Sequence, residues 1–442
     1  MNLNFRFIIF LLLRIYNRIF ITVKNKHKEN NYKIIGDIFM RNKKKRLNYK
    51  KLFKYIFLLI LLIFLLFKIP SILFAPDNED KKENTLQTAT TPESTTIHMS
   101  AIGDIMCHLT NIKNAYNSTS KDYDFSNVFK NIKSYTQNAD ITVGNLETTF
   151  AGESRGYTGY PTFNTPEVLG KNLKDIGVDV LSTANNHCMD KGYSGLVSTL
   201  NFLDEYGISH MGTSRSEEEQ NKILVKDVNG IKIAFLSFTY GTNGITIPSD
   251  KSYSVNLIDK ELMKKQIELA KAENVDVICV NMHWGVEYKL KQNSTQEDLA
   301  DFLFKNGVDI ILGSHPHVLE PMEKRTITLE DGTTKDGFVI YSLGNFVSGQ
   351  IYANTKSTVI LDIQITKDSN GKISIDSVNY TPVYLYDKGA NAKSRSRYTL
   401  IDIEKSIFDY ENGNDSSISK SLYNTLKDEL ENIRKTVGKE IN

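Results

Sequence analysis

Cysteine is scarce: 442 residues hold three, Cys107, Cys188 and Cys279. An odd, scattered set excludes a disulfide framework, so an exported domain must stand on its hydrophobic core. Tryptophan occurs once, as Trp284, and no internal repeat is visible. Net charge is nearly absent, +2 for the whole chain. What is present is globular material. Hydrophobic residues are 40% and charged residues 24%, which excludes a wholly disordered chain and a polytopic membrane protein. The length exceeds one small domain and falls short of three ordinary ones.

The near-neutral total hides an uneven distribution. Residues 1–54 hold 15 Lys/Arg against Glu29 and Asp37, a net of +13, so the other 388 must carry −11 to leave +2. An acidic body argues against nucleic acid as a partner. The basic arm precedes a long apolar run, Tyr55–Phe67 without a charge, continuing past Lys68 to Ala75. These 21 residues, at about 1.5 Å each, reach roughly 30 Å, the thickness of a bilayer core. Eight Lys/Arg from Arg41 to Lys54 precede the run, and Asp77, Glu79 and Asp80 follow it. Only the basic residues orient a span. The expectation is a single-pass cell-membrane protein with the lipid bilayer as a partner, a cytoplasmic N-terminus and an extracellular main domain. A cleaved signal peptide is the competing reading, but Leu73-Phe74-Ala75 followed by Pro76 is a poor cleavage site. Residues 1–39 contain no span, and Met40 opens RNKKKRLNYKK, a better basic lead into the anchor. Gly36-Asp37 can be encoded by a ribosome-binding sequence at the right spacing, so translation is expected to start at Met40.

Residues 76–96 are polar and predict a flexible stalk. Beyond it, β-like runs alternate with amphipathic stretches. Asn229-Gly230 divides ILVKDVNGIKIAFLSF into a hairpin, and VDVICVNMH and VDIILGSH each follow a helical segment. The second half adds antiparallel hairpins, so the fold class is α/β with the main domain over 97–388. Residues 389–442 are expected as a C-terminal extension whose amphipathic helix, Ser417–Val437, covers the domain.

Five of the eight histidines lie in turns directly after predicted strands, where rigid sheets hold functional loops. The turns are AIGDIMCH, VGNLETTF, TANNHCMDKG, VNMHWGVEY and LGSHPHV. They offer Asp104, Asn145 or Glu147, Asn186 and His187, His283, then His315 and His317. Carboxylate, imidazole and amide oxygen together suit one or two divalent transition ions, Mn, Fe or Zn, better than Ca or Cu(I). The two imidazoles at 315 and 317 converge only if the backbone turns between them. His98, His108 and His210 are read as ordinary structural histidines. Cys188 beside His187 is not read as a nucleophile, since nothing in the sequence activates it. Arg155, in a Gly- and Tyr-rich loop, is a surface residue that can also meet an anion. Trp284 either walls the pocket or packs.

The ordered motifs GD, GNLE, NNH-x-x-D-x-G, HWG-x-E-Y, GSHPHV and SLGNFV resemble the CapA family of bacterial capsule-synthesis proteins. That family takes part in making or exporting poly-γ-glutamate and is related to the calcineurin-like metallophosphoesterases. The resemblance runs from about His98 to Tyr386. It implies a sandwich of two mixed β-sheets flanked by helices, after one transmembrane helix. It implies Asp104, Asn186, His283, His315 and His317 as metal ligands, His187 as proton donor to a leaving group, and Asp190 as the acid that orients it. Glu287 and Tyr288 would support a ligand imidazole, and Asn345 would line the site. Two positions depart from a phosphoesterase pattern. Met106 stands where a histidine is usual, and Asn145 where a bridging aspartate is; Glu147 can compensate by reaching in. The expected function is capsule-polymer synthesis or export with a metal-dependent hydrolase site, an anionic polymer or its precursor being the partner. The alternative is a non-catalytic polymer-binding or scaffold subunit working with membrane synthase subunits.

Overall fold

The computed structural model describes residues 94–328 and 332–441. The basic arm, the membrane segment, the Met40 start and nearly all of the stalk lie outside the described residues. Among those described, no helix is long and apolar enough to cross a membrane.

Along the chain run β1 (Thr95–Ile105), a small ribbon of β2 (Tyr116–Asn117) and β3 (Asp122–Tyr123), β4 (Ile141–Leu146), β5 (Val180–Ser182) and β6 (Ser209–Met211). There follow β7 (Leu224–Val228), β8 (Ile231–Thr239), β9 (Val277–His283), β10 (Ile310–Ser314), β11 (Met322–Thr328) and β12 (Thr334–Ile340). The last are β13 (Asn345–Val347), β14 (Ser357–Lys367), β15 (Ile373–Asp387) and β16 (Tyr398–Asp402). One sheet has the order β16-β15-β14-β1-β4-β5-β6, with β13 also pairing with β1; the other is β11-β12-β10-β9-β8-β7. Both are mixed: β1, β4, β5 and β6 are parallel, as are β8, β9, β10 and β12, while the hairpin strands run antiparallel.

The period-2 pattern of each strand decides the layering. Ile97, Met99 and Ala101 of β1 share a core with Ile231, Ile233 and Phe235 of β8 and with Val277 and Cys279 of β9, which is the space between the sheets. The intervening Ala234, Leu236 and Phe238 point outward onto Met263, Ile267, Leu303 and Phe304 of the helices Lys260–Ala272 and Ser294–Lys305. On the other side, Ile102 and Leu181 meet Leu169, Leu173 and Leu203 from the helices Val168–Asp175 and Gly192–Tyr206. Two mixed sheets flanked by helices result. Asn229 and Gly230 both take positive φ, 52° and 91°, the geometry a two-residue hairpin turn requires.

Two boundaries differ from the sequence reading. Thr95 and Thr96 pair with Lys367 and Thr366, so the sheet begins inside the expected stalk. The segment 389–442 is no appendage: β16 adds an edge to the first sheet, and Leu422, Leu426, Ile433 and Val437 of the helix Lys420–Val437 belong to the inter-sheet core. A short strand after a charged loop carries little periodic signal, and only its pairing with β15 reveals it.

Candidate metal centre

The carboxyl ends of β1, β4 and β5 in one sheet meet those of β8, β9 and β10 in the other. Strand register lines up Asp104, Asn145 and Ser182 on the first, and Thr239, His283 and Ser314 on the second. The motif glycines allow this closeness. A Cβ on Gly103 would lie 2.0 Å from the Gly344 carbonyl oxygen, and one on Gly313 1.8 Å from that of Tyr341. The segment carrying SLGN therefore runs directly against both turns, and Asp104 N–H donates to Gly344 O at 2.8 Å.

The turn expected between the two histidines is real. His315 and His317 have φ of 98° and 60°, a region non-glycine residues enter only where the surroundings enforce it, at about 1–3 kcal/mol each. His317 Nδ1 lies 3.2 Å from Asp104 Oδ2, and His283 Nε2 lies 2.9 Å from Asn186 Oδ1. Glu147 is the shared member: its Oε1 is 3.6 Å from His283 Nε2 and 3.7 Å from His317 Nε2. Ligand-capable atoms of Asp104, Glu147 and His283, and of Glu147, His315 and His317, fall within 4.8 Å of one another. Asn145 turns its amide NH2 to Asp104 Oδ1 at 2.8 Å, and its oxygen faces Asn185 Nδ2 at 3.4 Å. Met106 is buried as an apolar side chain.

The electrostatics of this cluster suit a cation. Both carboxylate oxygens of Glu147 are buried without a hydrogen-bond partner, as is Nδ1 of His315. Burial first, then the neighbouring Asp104, Glu287 and Asp190, pushes Glu147 well above the carboxylate range. Burial also holds His283 well below the usual imidazole value and His315 down to about 3, with the neighbouring imidazoles adding to the effect. Neutral imidazoles are the ligand form, and an unpaired buried carboxylate costs several kcal/mol, roughly, unless a positive charge offsets it. The residues fit a divalent ion.

His187 and Asp190 form a second unit. His187 Nδ1 lies 2.8 Å from Asp190 Oδ2, which also accepts Phe163 N–H at 2.6 Å, and the Phe163 ring meets the imidazole edge-on at 4.7 Å. With Nδ1–H given to the carboxylate, Nε2 is left to face the site, 3.5 Å from Asn243 Nδ2.

The other expected residues are placed less uniformly. Trp284 packs: it is buried, stacks on Tyr341 and donates Nε1–H to the Tyr341 carbonyl at 2.9 Å, behind the second sheet. Asn345 lies beside Asp104 in register, gives its NH2 to Gln350 and Thr355, and keeps a buried, unpartnered Oδ1. Glu287 and Tyr288 are exposed at the mouth, where the Tyr288 ring lies 6.2 Å from that of His317. Cys188 is buried, and burial pushes its thiol up to about 12, so it is no nucleophile at neutral pH. His98 and His210 pair with Asp362 and Asp204 away from the site. His108, read as structural, stands closer: its ring also meets that of Phe163 edge-on, at 5.2 Å. Tyr240 and Asn243, after β8, were not anticipated. The Tyr240 ring is 4.6 Å from that of His315, and Asn243 Oδ1 accepts from Asn186 at 3.2 Å. TYGTNG is a strand-end turn like the other five, but it carries no acid or imidazole to attract notice.

A family described as bacterial capsule synthesis protein, PGA_cap, matches residues 98–350. The chain is 31% identical over 295 residues to the capsule biosynthesis protein CapA of Bacillus anthracis, covering 65% of this chain and 67% of the relative. It is 31% identical over 255 residues to the PGA biosynthesis protein CapA of Bacillus subtilis, covering 57% of this chain and 64% of the relative. The matched region thus spans about two thirds of the length of these relatives. Among solved structures, the Haemophilus influenzae NAD nucleotidase aligns at 12% identity and a TM-score of 0.39, over 78% of this chain and 61% of that one. A putative 5′-nucleotidase from Staphylococcus aureus aligns at 13% identity and a TM-score of 0.40, over 65% and 54%.

Proposed function

Since the chain belongs to the PGA_cap family of bacterial capsule synthesis proteins, we propose that it serves the synthesis or export of a capsule or related envelope polymer, as a membrane-anchored, outward-facing hydrolase with a metallophosphoesterase-like centre. The observation that carries the catalytic part is the buried, partnerless Glu147 carboxylate between Asp104, His283, His315 and His317, beside an oriented His187–Asp190 pair. Asp104, Glu147, Asn186 and the three imidazoles would hold a Mn, Fe or Zn ion. Bound there, such an ion polarises a phosphoryl or acyl oxygen and offsets the charge that builds on it. Asp190 holds Nδ1–H of His187 and would stabilise its imidazolium form, whose Nε2–H would pass to the leaving oxygen and leave the neutral imidazole. Phe163 keeps water from one edge of that imidazole. The partners in this reading are the bilayer, an anionic polymer or its precursor, and membrane synthase subunits.

The test is metal analysis of the full-length protein with turnover of a generic phosphodiester and of a γ-glutamyl amide. Expected are roughly stoichiometric transition metal and turnover that His187→Ala abolishes. Bound metal with no such turnover sinks the reading. One observation favours a non-catalytic scaffold instead: Asn145 and Met106 stand where a carboxylate and an imidazole would complete a second ion position. Capsule formation that survives His187→Ala is the result that reading requires.

A further inference from the structure

Met106 leaves the Asp104 end of the cluster one imidazole short, and the neighbouring strand carries a donor beside it. Asp104 N–H donates to Gly344 O and Met106 N–H to Val347 O, each at 2.8 Å. The segment around β13 is thus bonded to both ends of the stretch that lacks a ligand, and Asn345 stands between those two bonds. In strand register Asn345 lies beside Asp104, Asn145 on the other side of Asp104, and Ser182 beyond it. Residues paired across neighbouring strands present their side chains on one face. That face looks onto the second sheet: Asp104 meets His317, and Ser182 Oγ lies 2.7 Å from Ser237 Oγ of β8.

The Asn345 amide fits only one way round. Its NH2 donates to Thr355 O at 3.1 Å, a carbonyl that can only accept, and to Gln350 Oε1 at 2.9 Å. Both acceptors are held in turn: Gln350 gives its own NH2 to the Tyr288 hydroxyl at 3.1 Å, and Thr355 gives its hydroxyl to Tyr352 O at 2.7 Å. Oδ1 is left on the other side of the amide, wholly buried and, among the described residues, without a hydrogen-bond partner. A buried polar atom in that state costs about 1–3 kcal/mol. A cation beside Asp104 removes the cost, as it does for Glu147, and a neutral amide oxygen is a hard ligand of the kind Mn takes.

We propose that Asn345 is a ligand of the divalent ion, its Oδ1 filling the place beside Asp104 and His317 that Met106 leaves without an imidazole. This rests on the metal-site reading above and makes good one of the two losses that favour a scaffold.

Full-length protein in lipid nanodiscs, stripped of metal, is titrated calorimetrically with Mn. Asn345→Leu should weaken Mn binding about tenfold or more. Asn345→Asp, which keeps an oxygen at that place and loses the NH2, should bind Mn at least as tightly as wild type. Gln350→Ala, which removes a partner of the NH2 and leaves Oδ1, should stay within about twofold of wild type. Wild-type affinity in Asn345→Leu, affinity below wild type in Asn345→Asp, or a loss in Gln350→Ala equal to that in Asn345→Leu overturns the proposal. Should Asn345→Leu not fold, Asn345→Asp decides, because a merely structural amide predicts weaker binding there. If wild type binds Mn and Asn345→Leu matches it, the ligand falls and the metal-site reading stands; if wild type binds no Mn, both fall.

Discussion

Glu147→Gln should stabilise the metal-free protein at neutral pH and abolish most of the stabilisation that a divalent ion confers. The wild-type carboxyl is fully buried with neither oxygen hydrogen-bonded, and burial raises its folded-state affinity for a proton. A carboxyl raised in the folded state contributes stability below the ordinary carboxylate range and loses it as pH rises through the folded value. Metal-free wild type should therefore weaken from mildly acidic pH upward, and the amide, which cannot ionise, should remove that slope. The gain is about 1–3 kcal/mol, the scale of one unsatisfied buried polar group. With an ion at 100 times its dissociation constant, wild type gains ~2.7 kcal/mol; if losing the carboxylate weakens the ion about 100-fold, ~0.4 kcal/mol is left. Urea unfolding is read from the fluorescence of Trp284, which is 2% exposed and the sole tryptophan, with EDTA or with Mn at several pH values. A metal-free variant less stable than wild type, or an equal Mn increment in both proteins, would refute the reasoning.

Asp190→Asn should lower phosphodiester turnover by about 10²–10⁴ while metal content stays at the wild-type level, because it frees the His187 tautomer and touches no ligand; equal loss of metal would contradict that division. Asn145→Asp should raise the metal-to-protein ratio and lower metal-free stability, since it sets a carboxylate where the amide now donates to Asp104 at 2.8 Å; an unchanged ratio by elemental analysis would count against a second ion position. Glu320 is buried with one partner, Gln296 Nε2 at 2.7 Å, and burial pushes it up to about 7. Its contribution of roughly 3 kcal/mol is present below the carboxylate range and lost as pH rises through 7, so Glu320→Gln should flatten the stability profile there. Leu426→Ala, outside the family match, should cost about 2–5 kcal/mol by cavity formation in the inter-sheet core.

Much of the frame was legible because strands buried on both faces leave apolar runs bounded by turn residues. The run through Ile231, Ile233 and Phe235 named β8, and Asn229-Gly230 named its turn. The site was legible where side chains have ligand chemistry: Asp104, His283, His315 and His317 stand where strand-end turns put them. What was not legible depends on tertiary contact. Tyr240, Asn243 and Tyr352 are ordinary residues until the turns that carry them close over the histidines. Trp284 follows a ligand-type residue yet turns to the far side of its sheet, as alternation along an extended chain dictates. β16 exists only because β15 offers it an edge.

The pairing of β1 with β14 also sets an order in time. β1, the first of the described strands, has its partner more than 250 residues later, Lys367 against Thr95, and the core between the sheets also takes in Leu426 and Val437. The first sheet is complete only once β14 to β16 are made, whereas β7 to β12 of the second lie between Leu224 and Ile340, and the ligands for an ion, divided between the two sheets, assemble only when the sheets pack. The metal-binding groups thus depend on a long-range closure, and a chain cut before β14 should leave the first sheet's share of them unsupported.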